Sequence, residues 1–374
     1  MKIAMLLDDS MDRPDGVQQV VSSMGRMLVA DGHEVVIVCS GGTGEPGPIP
    51  VVSLARNIGV SFNSNRLRTP RPARRADLRS WLLAERPDVI HVQMPYSPFF
   101  AGRLVREARR LLGDKVRIVG TFVILPDSAF SAFATRMLGL VLRPTLRLFD
   151  GFSALTEPAV EFSRVSFHAG GTVTPSPIDV GAFRAHVHTP RLEADGRPLT
   201  LSFLGRFVER KGAMELIEAI AALPHDVRAQ LRVRMGGRGP LLGDAEALTA
   251  ERGLSELVSF EGFVAEEDKP QFLADADIAC FPATGGESFG IVLIEAMAAG
   301  AGVVIGGDNP GYTSTLGDPD AMIDARDTEA FAALITSLVR DPVRRAELHA
   351  RQQERVKDFD SATVLKGVLE LYGV

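Results

Sequence analysis

The segment from Ile278 to Gly307 reads IACFPATGGESFGIVLIEAMAAGAGVVIGG. It predicts a short apolar strand (Ile278–Pro282), a glycine-rich loop (Gly285–Gly290), a helix (Ile291–Ala299) and a second apolar strand (Gly302–Ile305). Strands that are apolar along their whole length belong to parallel sheets covered by helices on both faces. The stretch Ile291–Gly307 is the greasiest in the chain, but Glu295 and its glycines exclude a membrane span.

The same alternation runs outward in both directions. Toward the amino terminus, strands are predicted at Lys2–Leu7, Glu34–Cys39, Asp88–Val92, Val116–Phe122 and Gly151–Thr156, with a helix from Gly16 to Asp31. Beyond Pro198 the pattern restarts with a strand at Leu199–Leu204 and a helix at Lys211–Ala222, then strands at Leu231–Met235 and Val258–Phe260. The stretch Phe183–Pro198 is polar and carries Pro190, Gly196 and Pro198, so the domain boundary is expected there. The expectation is an α/β protein of two doubly wound domains, residues 1–182 and 198–357. Ligands in such sheets sit beyond the carboxyl ends of the strands, and the cleft between two such domains is the expected site.

Composition agrees with a soluble globular protein. Of 374 residues, 45% are hydrophobic and 24% charged, which excludes disorder and low-complexity classes. The net charge of -6 argues against a basic nucleic-acid binder. Cys39 and Cys280 lie 241 residues apart, too few for a metal site or a disulfide framework, so reduced thiols in a cytoplasmic protein are expected. The first residues, Met1–Leu7, are too short for a signal peptide and read as a buried strand.

Two motifs carry anion-binding chemistry. Gly205-Arg206, five residues ahead of Lys211-Gly212, puts two cations between a strand and a helix, where a diphosphate is well served; solvated surface charges are the plain alternative. Gly285 to Gly290 opens a helix whose first N–H groups favour an anion. Glu287 lies in that loop and Glu295 eight residues on, in a helix apolar all round, where an unpartnered acid is costly. One carboxylate suits the hydroxyls of a sugar and the other a ribose.

Three look-alikes are weaker. Gly286-Glu287-Ser288-Phe289-Gly290 matches a hydrolase nucleophile elbow, but the only later histidine is His349, inside a helical run. Gly237-Arg238-Gly239 with Gly243 has the wrong last spacing for a dinucleotide fingerprint. Asp275 and Asp277 resemble a metal-binding pair at a helix end, where solvated acids are ordinary. Arg66–Arg86 has seven arginines against Asp77 and Glu85. There Arg71, Arg74, Arg75 and Arg79 recur at helical spacing, with Leu78, Trp81 and Leu82 as an apolar face. An interfacial membrane helix and a solvated helix over a core stripe both fit.

Taken in order, these motifs resemble family 4 retaining glycosyltransferases of the GT-B fold, closest to phosphatidylinositol mannosyltransferase-like enzymes. GGESFGIVLIEAMAAG (Gly285–Gly300) is similar to their donor-binding segment, and Arg206 and Lys211 to their diphosphate clamp. Pro14-Asp15-Gly16-Val17-Gln18 resembles their first glycine loop, and Phe62-Asn63 with the basic run their acceptor and membrane region. The resemblance covers essentially the whole chain. It implies that Arg206 and Lys211 hold the donor diphosphate, Glu287 the transferred sugar and Glu295 the ribose. The backbone of Phe289, Gly290 and Ile291 would meet the phosphates, Ser288 would belong to the donor site, Gly16 would admit the donor, and Val264 would lie near the base. Asn63, Arg71, Arg74, Arg75 and Arg79 would serve acceptor and membrane, and residues 358–374 would cross back to the first domain. The implied reaction moves a hexose, mannose foremost, from a GDP- or UDP-hexose to a lipid-linked acceptor at the cytoplasmic face of the plasma membrane. It needs no metal and no cofactor, and nothing points to a protein partner.

The chain departs from the family at Val123. Thr121-Phe122-Val123 stands where the family often carries Thr-Phe-His, and valine can neither hydrogen-bond a sugar nor share a proton. His91-Val92-Gln93 likewise follows a strand where relatives often have a second acid or histidine. A transferase with a soluble acceptor and a catalytically impaired nucleotide-sugar-binding homologue stay open as alternatives.

Overall fold

In the computed structural model, residues 1–12, 15–41, 49–62, 65–70, 72–126, 129–188 and 196–374 are described. The chain divides into two units, Met1–Pro177 with Ser361–Val374, and Ile178–Asp360.

In the first unit the order is β1 (Lys2–Leu7), α1 (Gly16–Ala30), β2 (Glu34–Ser40), β3 (Val51–Ala55), β4 (Asn57–Phe62), β5 (Asn65–Pro70) and α2 (Arg75–Glu85). It continues with β6 (Val89–Gln93), α3 (Ala101–Leu112), β7 (Arg117–Phe122), α4 (Ala129–Leu146), β8 (Gly151–Ala154), α5 (Glu157–Phe167) and β9 (Thr172–Val173). A parallel sheet runs β3-β2-β1-β6-β7-β8-β9. β1 shows why its residues are apolar without alternation. Ala4 and Leu6 join a core with Leu78, Trp81 and Leu82 of α2 and Leu104 and Val105 of α3. Ile3, Met5 and Leu7 face the opposite core, with Val21 and Met24 of α1. Full burial of such side chains contributes about 1.5–3 kcal/mol each.

β4 and β5 form a separate antiparallel pair, with Ser61 opposite Arg66 and Gly59 opposite Arg68. Of the four arginines read at helical spacing, Arg75 and Arg79 lie on a helix, Arg74 stands just before it and Arg71 lies outside the described residues. The first arginines of the basic run lie on a strand, and α2 begins only at Arg75.

The second unit holds α6 (Val180–Ala185), β10 (Leu199–Leu204), α7 (Ala213–Ala221), α8 (His225–Arg228), β11 (Leu231–Gly236), α9 (Leu242–Glu251), β12 (Val258–Gly262) and α10 (Lys269–Ala274). Then come β13 (Ile278–Phe281), α11 (Ile291–Ala299), β14 (Val303–Gly307), α12 (Pro310–Leu316), β15 (Met322–Ile323), α13 (Thr328–Arg340) and α14 (Pro342–Arg355). Its parallel sheet runs β12-β11-β10-β13-β14-β15, so β10 and β13, the strands that lead into the two loops expected to bind an anion, are neighbours. α6 belongs to this unit: Arg184 donates to the Ala298 carbonyl of α11 at 3.2 Å. The last helix, α15 (Ser361–Tyr372), belongs to the first unit.

The acid pair before β13 is structural. Asp277 takes two bonds from Arg197, at 2.8 and 3.2 Å, and one from the Thr200 amide at 2.8 Å. Asp275 pairs with Arg234 at 3.1 Å. His349 lies on α14 with Nδ1 2.9 and 2.7 Å from the carbonyls of Ala301 and Gly302, bound to backbone.

Candidate functional site

β10 ends at Leu204 and hands the chain to Gly205 and Arg206, then to a 3-10 turn over Glu209–Lys211. Gly212 follows with φ +74°, in the left-handed region, and a Cβ there would lie 2.0 Å from the Pro282 carbonyl oxygen at the end of β13. Only glycine fits, because the left-handed turn brings the first loop directly against the second. The Thr284 amide donates to the Arg210 carbonyl at 2.9 Å and ties the two loops together.

Glu287 is the meeting point of their side chains. Its Oε1 accepts from Lys211 Nζ at 2.8 Å and also from Arg210 Nη1. Burial pushes the Lys211 ammonium below its ordinary value, and Arg210 and Arg206 add to that, while Glu287 works to keep it charged. Two cations, Arg210 and Lys211, thus meet on one acid, and Arg206 is close enough to act on Lys211. Two cations on a single carboxylate can also receive an anion such as a diphosphate. Arg210 was not singled out from the sequence. Its only signal was its place beside Lys211, and its role depends on Glu287 folding back toward it.

Behind Glu287, Gly290 caps α11 in the left-handed region, with no side-chain bond to the helix start and no acid in the first turn. Ile291 and Val292 at that start are half-buried, and their amides precede the first intrahelical bonds. Phe289 is buried edge-on against Phe359, with ring centroids 5.5 Å apart, and its carbonyl accepts from Thr315. Ser288 sits half-buried between these anchors.

Glu295 is buried inside α11, and its partner is Lys269 Nζ at 2.8 Å, which also meets Glu266 at 2.7 Å. Burial raises the Glu295 carboxyl above its ordinary range, with Lys269 opposing. Lys269 was invisible to sequence reading, because an acid in an apolar helix demands a partner without saying from where. Val264 is half-buried two residues beyond β12, and a Cβ on Gly236 of β11 would meet its Cγ2 at 2.9 Å.

In the first unit, Gly16 is the first residue of α1, and a Cβ there would meet nothing within 4 Å. Val123 is buried directly after β7. His91 lies inside β6 rather than beyond a strand, fully buried. Arg75 and Arg79 lie one turn apart on α2, and Arg75 pairs with Glu107 at 2.6 Å. Arg74 caps the helix, while Asn63 and Arg71 lie outside the described residues. Among the described residues, no helix is long and apolar enough to cross a membrane.

Comparison with known proteins bears on this geometry. The family described as glycosyl transferases group 1 matches residues 188–358, and the glycosyl transferase 4-like domain matches residues 15–173. The chain is 30% identical over 379 aligned residues to a protein of Mycolicibacterium smegmatis named phosphatidyl-myo-inositol mannosyltransferase, spanning 100% of this chain and 93% of the relative. A Mycobacterium leprae protein of the same name is 30% identical over 378 residues, spanning 100% and 96%. Among solved structures, Anabaena Alr3699/HepE in complex with UDP superposes with a TM-score of 0.76 at 19% identity, covering 100% of both chains. The two parallel Rossmann-like sheets are thus those of the GT-B fold, and the chain belongs to the group 1 glycosyltransferases.

Proposed function

We propose that this chain transfers a hexose, mannose foremost, from a GDP- or UDP-hexose to a phosphatidylinositol-type lipid at the cytoplasmic face of the plasma membrane, with retention of anomeric configuration. The observation that carries the reading is the pair Arg210 and Lys211 meeting on Glu287 beside the start of α11, with Arg206 acting on Lys211, in a chain whose full-length relatives are named phosphatidyl-myo-inositol mannosyltransferase.

In this reading Arg206 and Lys211 hold the donor diphosphate, helped by the amides of Ser288, Phe289, Gly290 and Ile291. Glu287 binds the sugar hydroxyls, Glu295 the ribose, and Val264 packs near the base. Gly16 leaves room for the phosphates. The acceptor hydroxyl oxygen bonds to the anomeric carbon as the bond to the diphosphate oxygen breaks on the same face, and the acceptor proton passes to the leaving diphosphate. The protein's cations and helix amides stabilise the charge that develops there, which is the main catalytic contribution. No metal and no cofactor take part, and the nucleotide sugar is a substrate. Arg74, Arg75 and Arg79, with Asn63 and Arg71, serve the anionic surface and the acceptor.

A second reading, a donor-binding homologue with impaired turnover, is favoured by Val123 alone. The test is incubation of radiolabelled GDP-mannose and UDP-hexoses with vesicles containing phosphatidylinositol. The expected result is organic-extractable label from one donor, in a product whose anomeric coupling matches the donor's. Donor binding with neither transfer nor hydrolysis would select the second reading. Transfer only to water-soluble sugars would replace the lipid acceptor.

A further inference from the structure

α4 exposes large apolar side chains in a row. Phe133 is 63% exposed, Met137 50%, Leu140 54% and Val141 73%. At about 100° per residue these four fall within an arc of roughly 100° on the helix. Arg136 and Arg143, both exposed, lie together on one edge of it, and exposed Arg147 follows the helix. α4 has no acidic residue, and none of the three arginines forms a side-chain hydrogen bond or ion pair among the described residues.

The outward stripe is set by how the other side is held. A Cβ on Gly139 would lie 2.0 Å from the Ser166 carbonyl oxygen, so α4 lies with its backbone against the end of α5. Leu142 and Leu146 are buried with Phe122, Ala159 and Phe167. Thr145 accepts from Arg106 of α3 at 2.6 Å. α2 is the contrast: Leu78, Trp81 and Leu82 all point into the core, so its exposed face offers charge without an apolar stripe.

We infer that α4 is the element by which the first unit lies on an anionic lipid bilayer, Phe133, Met137, Leu140 and Val141 entering the interface and Arg136, Arg143 and Arg147 meeting lipid headgroups. This rests on the lipid-acceptor reading and adds the surface to it. An apolar stripe edged by cations is the signature of a helix lying in the plane of a membrane surface. A second copy of the chain is a poor occupant, because α4 has no acid to pair the partner's arginines, whereas anionic lipid supplies the missing counter-charge.

Val141→Cys carrying a nitrobenzoxadiazole dye tests this, since the thiols of Cys39 and Cys280 are buried. The dye is expected to brighten and shift to the blue with vesicles of phosphatidylcholine and phosphatidylglycerol, and to stay unchanged with phosphatidylcholine alone. The same dye at Val343→Cys, an exposed site on α14, is expected to stay unchanged with both. A Phe133→Ser/Val141→Ser double variant should lose vesicle affinity by about tenfold or more, with its unfolding midpoint and nucleotide binding kept. A silent dye at 141 while the unaltered protein co-sediments with anionic vesicles would overturn the α4 assignment and leave the lipid reading standing on another surface. Absence of vesicle binding by the unaltered protein, with transfer to detergent-dispersed phosphatidylinositol intact, would overturn the docking proposal alone. Self-association without vesicles that the double variant abolishes would assign the stripe to a second copy instead.

Discussion

His91 and Tyr372, 281 residues apart in the chain, share a hydrogen bond of 2.8 Å between the imidazole Nδ1 on β6 and the phenol of α15. Nε2 of the same ring meets Thr121 Oγ1 at 2.6 Å, and that hydroxyl meets Ser153 Oγ at 2.7 Å. Around this buried polar line, Val364, Val368 and Leu371 of α15 join Ile3, Met5 and Val119 in one core. The carboxy-terminal helix is therefore part of the first unit's interior.

Tyr372→Phe keeps the ring and removes the bond, leaving His91 Nδ1 buried without its partner. Such a loss costs about 1–3 kcal/mol. The sole tryptophan, Trp81, lies on α2 in the same unit, so its emission in urea follows this unit. The midpoint is expected to fall. An unchanged midpoint would mean that the hydrogen bond contributes nothing net.

Two buried groups set opposing pH dependences in this unit. Burial lowers His91 from its ordinary 6.5 to about 3, so between those values the unfolded chain holds the extra proton, and stability is lost as pH falls. Burial raises Asp8 from 3.8 to about 7, against a bond from the Ala101 amide. There the native state holds the extra proton, and stability falls as pH rises through that window. Each slope is at most about 1.4 kcal/mol per pH unit, so the two nearly cancel between pH 4 and 6.5, to a first approximation. Asp8→Asn should expose the His91 slope, with urea midpoints dropping below pH 6.5. His91→Gln should expose the Asp8 slope, with midpoints dropping toward pH 7. Parallel profiles for both variants and the unaltered protein would contradict this assignment.

At the two loops proposed to hold the donor, Arg206→Ala or Lys211→Ala should weaken nucleoside diphosphate binding by about tenfold or more, the cost of a charge-assisted contact. Glu287→Ala should behave differently, because Glu287 neutralises Lys211 and Arg210 in the absence of donor. Removing it should leave free diphosphate binding equal or tighter while the sugar nucleotide binds more weakly. Calorimetry with both ligands separates these effects. Equal losses for both ligands in all three variants would remove the sugar role from Glu287.

Val123→His places a hydrogen-bonding ring at the end of β7. Acid–base or similar help is typically worth 10²–10⁴-fold, so turnover should rise at least about tenfold. Free nucleotide affinity should hardly change, since the diphosphate contacts proposed here come from the other unit. Donor consumption by both forms at one pH is the measurement. Brisk turnover by the Val123 form without gain from histidine would show that the chemistry proceeds without that group.

The apolar strands, the glycine loops and the cation and acid positions were legible in the sequence because their causes are local. A strand buried on both faces must be apolar at every position, as β1 is, and a left-handed residue opening a helix, as Gly212 does for α7, favours glycine. The order of these local signals determined a two-sheet glycosyltransferase. What depends on distant partners was not legible. The β4–β5 pair takes up Arg66 and Arg68 at the head of the basic run, and α2 begins only at Arg75, so Arg74 stands before the helix that Arg75 and Arg79 share. Glu295 found Lys269, Lys211 shared Glu287 with Arg210, and His91 found Tyr372, each through a packing geometry that spacing along the chain does not encode. The exposed stripe of α4 is the same lesson reversed. Its sequence mixes apolar and basic residues, and the seat of Gly139 on α5, with Leu142 and Leu146 in the core, decided which of them face outward.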